Sequence, residues 1–379
     1  MSQVPELTPE ELYGKMEAGE PLVILDVRNE EEFAEWKIEG KTLEHINIPY
    51  YAIIEEEHDA LKDLPRDKEI VVVCAKGGAS DYVAQMLLDT GRKAGHLKGG
   101  MLAWSQFYHP VLVYADDKMK IIQVNRYAKG CLSYAVVSRG KGLIVDPNRN
   151  VDVYLKLAQD HGFVIESVAD THLHADHITG GQRLAELTGA TYYISAQEAK
   201  GTSLKFEPLE RHAKIRVGDV DVEVLPIPTP GHTPGSTSFL IDNRFLLSGD
   251  TIFVGGLGRP DLGGKAREWA EDLYDTVFKT IRNIPDDCLV LPAHYGEIWE
   301  IRPDGAVAAT LGEIRANNEI MRNEDRVSFT EHVAAAAVSL KPPNFEEIIA
   351  VNRGELTVGE ERAIELEIGP NRCAVHHMG

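Results

Sequence analysis

The stretch 169–181 reads ADTHLHADHITGG and sets His172, His174, Asp176 and His177 within six residues. Imidazoles and a carboxylate at that density suit zinc or iron far better than calcium, which prefers an all-oxygen shell. Three more donors arrive downstream, each beside turn residues: His232 in TPGHTPG, Asp250 in LLSGD and His294 in LPAHYG. Any one of these histidines, taken alone, is as readily a packed or surface side chain. Seven donors with this spacing point instead to a metal centre. A second chemistry begins at Cys74, which opens the loop Cys74-Ala75-Lys76-Gly77-Gly78-Ala79-Ser80. Gly77 and Gly78 allow backbone angles that turn amide N–H groups inward, the helix that follows adds its positive end, and Lys76 adds a cation. All three favour thiolate, a nucleophile that can carry sulfur as a persulfide. A buried structural cysteine at a strand end is the alternative reading of the same residue.

These side chains need elements to hold them. Residues 163–168, FVIESV, are apolar and β-branched and predict a buried strand that ends just before His172. His172 and His174, two apart, then point to one side, Asp176 and His177 fall on a turn, and RLAELTGA predicts a helix. Asp250 and His294 also follow short apolar runs, so the donors gather where strands stop. In the first part of the chain, LTPEELYGKMEAG predicts a helix with Thr8 as N-cap and Pro9 at its first position. LVILDVR and EIVVVC predict buried strands, EEEFAEWKI and SDYVAQMLLDTG helices. Strand–helix alternation predicts a parallel sheet flanked by helices. Asp26 and Arg28 are expected to brace the sheet edge and the Cys74 loop.

Residues 105–118 lack a clear period and are taken as the domain boundary, giving domains over 1–112 and 113–379. Beyond it, KIIQVN, CLSYAVVS and GLIVDP predict successive strands of one sheet. VDVYLKLAQDHG predicts a helix, and TYYIS, DVEVLPIP, TSFLID and RFLLS further strands. EWAEDLYDTVFKTIRNI predicts one long amphipathic helix, FTEHVAAAAVSLKPPNF a helix and linker, and IELEIGPNRCAVHHMG a short strand with an exposed end carrying His376 and His377. Asp146 is expected to orient a loop rather than bind metal.

The apolar share of 43% and charged share of 26% are ordinary for a water-soluble globular protein. No apolar run reaches the roughly 18 residues of a membrane span, and MSQVPELTPEEL has neither the basic start nor the apolar core of a secretion signal. A net charge of −21 argues against nucleic acid as a partner. Cys74, Cys131, Cys288 and Cys373 show no paired spacing, which favours a reduced, cytoplasmic setting. Oligomeric state is left open, a homo-oligomer included.

HLHADH, the PGHTPGS histidine, the SGD aspartate and the PAH histidine together resemble the metallo-β-lactamase fold, over about residues 118–379. The resemblance implies an αββα sandwich in which His172, His174 and His232 form one metal site, Asp176, His177 and His294 a second, with Asp250 able to bridge them. LDVR, INIP, the Cys74 loop and HLKGGMLAW resemble a rhodanese domain over about residues 5–110, which implies an α/β sulfurtransferase with Cys74 as sulfur carrier and Lys76, Gly77 and Gly78 as its substrate loop. Many single-domain rhodaneses place arginine just before the closing serine. Here Ala79 stands there, which points away from thiosulfate and toward a less charged persulfide or polysulfide.

Two activities fit the metal domain. One is similar to glyoxalase II, a dinuclear zinc hydroxyacylglutathione hydrolase whose metals activate a water on all seven ligands, with the rhodanese as accessory. The other resembles the persulfide dioxygenases, in which one non-haem iron(II) uses two histidines and one aspartate, here His172, His232 and Asp250. THLHADHITGG, the segment TIFVGGLGRPDLGG after Asp250, and a persulfide-handling neighbour on the same chain favour the second. The expected substrates are then a small thiol persulfide, glutathione persulfide-like, and O₂, and the cofactor is mononuclear Fe²⁺, with Zn²⁺ the alternative. Arg259 is a candidate for gripping a substrate carboxylate, or else a surface arginine.

Overall fold

The computed structural model describes residues 4–56, 59–223, 228–260, 265–337, 343–371 and 374–376. It divides into two compact units: residues 1–107 with 126–129 and 368–370, and residues 108–125 with 130–367 and 371–379.

The first unit is built on a five-stranded, all-parallel sheet in the order Glu6–Leu7, Ala94–Leu97, Glu69–Val73, Leu22–Asp26, Glu44–Asn47. Every residue of Leu22–Asp26 is buried, as a parallel strand covered on both faces requires. Each such apolar side chain contributes about 1.5–3 kcal/mol. Helix Pro9–Glu17 starts as its sequence predicts, with Thr8 and Glu11 closing a reciprocal capping box. Asn29 does the same for helix Glu30–Glu35. Cys74 leaves the central strand Glu69–Val73 and helix Gly78–Asp89 follows.

The second unit has two large sheets and a separate two-stranded pair. The seven-stranded one runs Glu207–Pro208, Thr191–Ile194, Val164–Ala169, Lys141–Val145, Cys131–Ser138, Lys120–Arg126, His109–Ala115. The six-stranded one runs Lys214–Val217, Val220–Glu223, Phe239–Ile241, Phe245–Gly249, Leu289–Pro292, Ala309–Thr310. Helices Asp152–His161 and Gly181–Thr188 cover the first sheet through Tyr154, Leu157 and Leu184. Helices Ala266–Asp275, Leu311–Asn317 and Arg326–Ala337 cover the second through Leu273, Ile314 and Phe329. Between the sheets, the buried Tyr134 hydroxyl donates to the Pro292 carbonyl. This is the expected αββα layering.

The boundary expected at 112/113 falls within strand His109–Ala115, which pairs with Lys120–Arg126. The structure departs from two expectations. The long helix expected after Asp250 breaks up: Ala266–Asp275 passes into a π turn, Thr276–Thr280, and a 3₁₀ turn, Ile281–Asn283. IELEI, expected as strand, lies in helix Glu360–Glu367, where Ala363 and Leu366 are buried at helical spacing. Among the described residues of that tail, Ala374–His376 is a strand, paired with Gly256–Gly258, and His377 lies outside them. No helix of the described residues is long and apolar enough to cross a membrane.

Candidate functional site

Strand ends bring the donors together. Phe245–Gly249 and Leu289–Pro292 are parallel neighbours with Gly249 opposite Pro292, so Asp250 and His294 leave the sheet side by side. His294 Nδ1 then lies 2.6 Å from Asp250 Oδ1. His172 follows strand Val164–Ala169, and Thr237 N–H donates to the Thr171 carbonyl at 2.9 Å, tying that loop to the loop of His232. Glu198 ties the same two loops again, accepting from Leu173 N at 2.9 Å and Gly235 N at 2.7 Å. A Cβ on Gly258 would stand 1.8 Å from the Asp250 carbonyl oxygen, so only glycine lets that strand pass beneath the aspartate.

The donor atoms fall into groups. One atom from each of His172, His232 and Asp250 lies within 4.8 Å of the other two. Asp250 Oδ2 is 3.7 Å from His172 Nε2 and 3.5 Å from His232 Nε2. Cys131, Asp176, His177 and His294 form a second such group, and Asp146, Asp170 and His174 a third. All are buried. His174 packs its ring against that of His172, 4.3 Å between centroids, while its Nε2 lies 3.2 Å from Asp146 Oδ1.

The hydrogen bonds fix the tautomers. His232 Nδ1 faces the Arg259 carbonyl at 2.7 Å, an acceptor only, so it carries the proton. His294 Nδ1 and His174 Nε2 face carboxylates and do the same. His172 Nδ1 lies 2.9 Å from Thr171 Oγ1, whose own proton goes to Asp146 Oδ2 at 3.0 Å. What remains is bare: His172 Nε2, His174 Nδ1, His177 Nε2, His232 Nε2, His294 Nε2 and Asp250 Oδ2 have no hydrogen-bond partner. Six buried, unpaired donors in one region are costly unless something binds them. Imidazole and carboxylate lone pairs converging in this way fit a divalent metal.

Electrostatics agree at His172 and Asp250, whereas carboxylate neighbours raise His177 and His294 and favour their protonated forms. Burial, aided by His174, holds the His172 imidazole well below its ordinary pKa and hence neutral. Burial would raise Asp250, but His294 and His172 outweigh it and hold the carboxyl far below the usual range. Burial would lower His177, but Asp176 and Cys131 carry it up to about 10.

Asp146 has the loop-orienting place expected of it, at φ +53 with Oδ1 accepting from Thr171 N at 2.7 Å. The Arg259 side chain is buried, and its carbonyl positions His232. The rest of the loop following Pro260, 261–264, lies outside the described residues. Sequence reading missed three contributors. Cys131 lies 3.3 Å from Asp176 Oδ2 but had no paired cysteine to draw notice. Glu198 sits in SAQEAK, a segment without pattern. Asn352, at the end of the apolar run EEIIAVN, donates to the carbonyls of His174 and His177 at 2.8 Å each and accepts from Thr179 N at 3.0 Å.

In the first unit, Cys74 is buried at the wall of a cavity of about 370 Å³ shared with Arg28, Tyr50, Tyr51 and Lys76. Gly77 N donates to Cys74 Sγ at 3.0 Å, and the thiol donates to Ser80 Oγ at 3.3 Å. Arg28 is pinned to Asp26 at 2.6 Å and donates to the Trp36 carbonyl, bonds that brace the sheet edge but do not reach the Cys74 loop. Lys76 is exposed at the mouth.

The chain matches the rhodanese-like domain over residues 8–107 and the metallo-beta-lactamase superfamily over residues 126–294. It is 31% identical to a hydroxyacylglutathione hydrolase of Anaeromyxobacter dehalogenans, over 52% of this chain and 76% of that protein. It is 34% identical to the human mitochondrial persulfide dioxygenase ETHE1, over 37% of this chain and 52% of that protein. The crystal structure of ETHE1 from Myxococcus xanthus superposes with a TM-score of 0.53 at 25% identity, over 66% of this chain and all of that one. The chain therefore belongs to the metallo-beta-lactamase superfamily and carries a rhodanese-like domain on its N-terminal side.

Proposed function

We propose that the protein is a persulfide dioxygenase: it oxidises the outer sulfur of a small thiol persulfide, glutathione persulfide-like, with O₂, giving sulfite and free thiol. His172, His232 and Asp250 would hold one iron(II), and Cys74 would handle sulfane sulfur in the rhodanese-like domain. One observation carries this reading. Each member of the trio is anchored at its far atom and bare at its near one: His172 by Thr171, His232 by the Arg259 carbonyl, Asp250 by His294. Two imidazoles and one carboxylate, pre-oriented on a single face, are the donor set of non-haem iron(II) oxygenases. When bound there, iron would supply a redox-active centre with positions left for a sulfur and for O₂.

The residues do the rest. His172 and His232 offer their unpartnered Nε2 atoms, and Asp250 offers the negative charge. Beyond Asp250, Ile252 and Leu257 are buried in the core beneath the second sheet's helices, and the buried Phe253 ring stands 6.4 Å from that of His294. Both oxygen atoms of O₂ end on the outer sulfur, and water then cleaves the S–S bond to release sulfite and thiol. In the other domain the Cys74 thiolate attacks a sulfane sulfur. A new S–S bond forms to Cys74, the donor's S–S bond breaks, and its electron pair leaves with the donor thiolate. Cys74 then passes that sulfur on, or gives it to sulfite to form thiosulfate.

The alternative is a dinuclear zinc thioesterase, favoured by the hydroxyacylglutathione hydrolase likeness and by bare donors at His174, His177 and His294 as well. Metal analysis with an oxygen electrode tests the proposal. One iron per chain and O₂ uptake on glutathione persulfide are expected. Two zincs with S-lactoylglutathione hydrolysis and no O₂ uptake would overturn it.

A further inference from the structure

A second cavity, of about 440 Å³, opens beside the Cys74 loop. It shares Lys76 and Gly78 with the Cys74 cavity, but Glu6 and His96 bring the far half of the sheet to its wall. Their strands lie on the other side of Glu69–Val73 from the strand that carries Arg28. Strand register sets Glu6 opposite His96, and Asp81 stands in the first turn of helix Gly78–Asp89. His96 is only 5% exposed, and its Nδ1 has no hydrogen-bond partner. Its Nε2 faces Glu6 Oε1 at 3.7 Å and Asp81 Oδ1 at 3.6 Å, beyond hydrogen-bond reach of both. Lys98 takes the other Glu6 oxygen at 3.1 Å, but among the described residues Asp81 makes no hydrogen bond and Lys76 has no partner. The helix starts at Gly77 without a side-chain cap, so its first N–H groups lack a side-chain acceptor. Gly77 lines this cavity while its own N–H donates to Cys74 Sγ at 3.0 Å. A single thickness of backbone therefore separates the cavity from the sulfur.

We infer that this cavity holds the α-amino acid head of the thiol that exchanges sulfur with Cys74. The inference rests on the proposed sulfur chemistry of Cys74 and not on the metal site. An ammonium fits where Glu6, Asp81 and the imidazole converge, because it brings N–H donors to acceptors that lack them. The adjoining carboxylate of such a head falls to Lys76 and the uncapped helix start. A bare divalent ion would answer the carboxylates but be repelled by Lys76. Thiosulfate, an anion with no ammonium, gains one half of the site and meets two carboxylates at the other. With the head seated, the persulfide tail crosses the rim at Lys76 and Gly78 into the Cys74 cavity. There the Cys74 thiolate attacks the outer sulfur. The new S–S bond forms to Cys74, the donor's S–S bond breaks, and its electron pair leaves on the donor thiolate. The cavity thus selects the donor and takes no part in the bond exchange.

The test exposes the full-length chain, without oxygen, to glutathione persulfide or to N-acetylglutathione persulfide, which differs only in lacking the ammonium. Mass spectrometry times the appearance of persulfide on Cys74. The parent should load faster from the first donor, and Asp81→Asn should cut the ratio of the two rates roughly fivefold, the size of one partly exposed ion pair. Glu32→Gln, whose carboxylate lines the Cys74 cavity instead, should leave that ratio as it was. Equal rates in the parent, a ratio unmoved by Asp81→Asn, or a loss that appears with Glu32→Gln in its place overturns the inference. Calorimetric binding to the Cys74→Ser chain decides without any sulfur transfer. Glutathione should bind roughly fivefold more tightly than N-acetylglutathione, and Asp81→Asn should make the two equal; equal binding to the unsubstituted cavity sinks it. Should Cys74 take sulfur from neither donor, the sulfur-carrier reading falls and the binding result still settles the cavity. A preference for the ammonium without O₂ uptake on persulfide would uphold the cavity and sink the dioxygenase, and O₂ uptake without the preference would do the reverse.

Discussion

Asn352 donates to the carbonyl of His174 at 2.8 Å, from 178 residues further along the chain. The same amide holds the carbonyl of His177 and the N–H of Thr179. Asn352→Ala would strand three backbone groups in a buried loop, costing about 1–3 kcal/mol and weakening metal binding roughly tenfold or more. Thermal unfolding and chelator competition measure the two effects. Metal affinity equal to the parent's would refute the positioning role.

Asp250→Asn keeps an oxygen to face His294 but removes the charge the trio supplies. Iron content and O₂ uptake should fall to background while the far-ultraviolet circular dichroism is unchanged. Full iron retention would assign the carboxylate's role elsewhere.

Cys74→Ser should abolish sulfur transfer outright. Lys76→Ala should raise KM for an anionic donor by about two- to fivefold, since an exposed charge contributes at most about 1 kcal/mol, and added salt should erase the difference. A change confined to kcat would contradict a binding role for Lys76.

Glu367 is buried, with Oε1 accepting from Ile178 N at 2.7 Å and Oε2 from Arg149 Nε at 2.8 Å. Glu367→Ala leaves the Arg149 cation without this buried partner, and a loss of about 3–5 kcal/mol is expected. The shift in urea midpoint measures it. A shift worth less than about 1 kcal/mol would mean that Glu360, the other partner of Arg149, suffices.

Asp116 accepts from Met119 N, Tyr114 OH and Lys118 N, and these bonds hold its carboxyl at about 2, below the ordinary 3.8. A depressed folded-state value contributes stability above the unfolded value and loses it as pH falls through the folded one. The stability gap between the parent and Asp116→Asn should therefore be constant at neutral pH and close between about pH 4 and 2. A gap that does not change over that window would show that the carboxylate charge is irrelevant to the turn.

The seven donors, Cys74 and both fold classes were legible because each leaves a local mark: histidines at strand ends, a glycine-rich loop after β-branched runs, a capping box at Thr8. What stayed hidden depends on distant pairing. Cys131 gains meaning only from its bridge to His294. Asn352 and Glu198 bond to loop backbones that no local pattern relates to them. IELEI shows β-branched alternation locally, yet Glu367 is drawn into a helix by its bonds to Arg149 and Ile178. The pairing of His174 Nε2 with Asp146 is likewise a contact between residues 28 apart in sequence.

Asn352 and Glu367 also bear on biogenesis. Translation proceeds from the N-terminal side, so the histidine-bearing loop leaves the ribosome well before the amide and carboxylate that brace it. The nascent loop has no clamp while stray cations are within reach, and acquires one only after the helices Phe345–Asn352 and Glu360–Glu367 have docked. Metal selection is thereby deferred to the finished fold, where geometry rather than order of arrival decides what is kept.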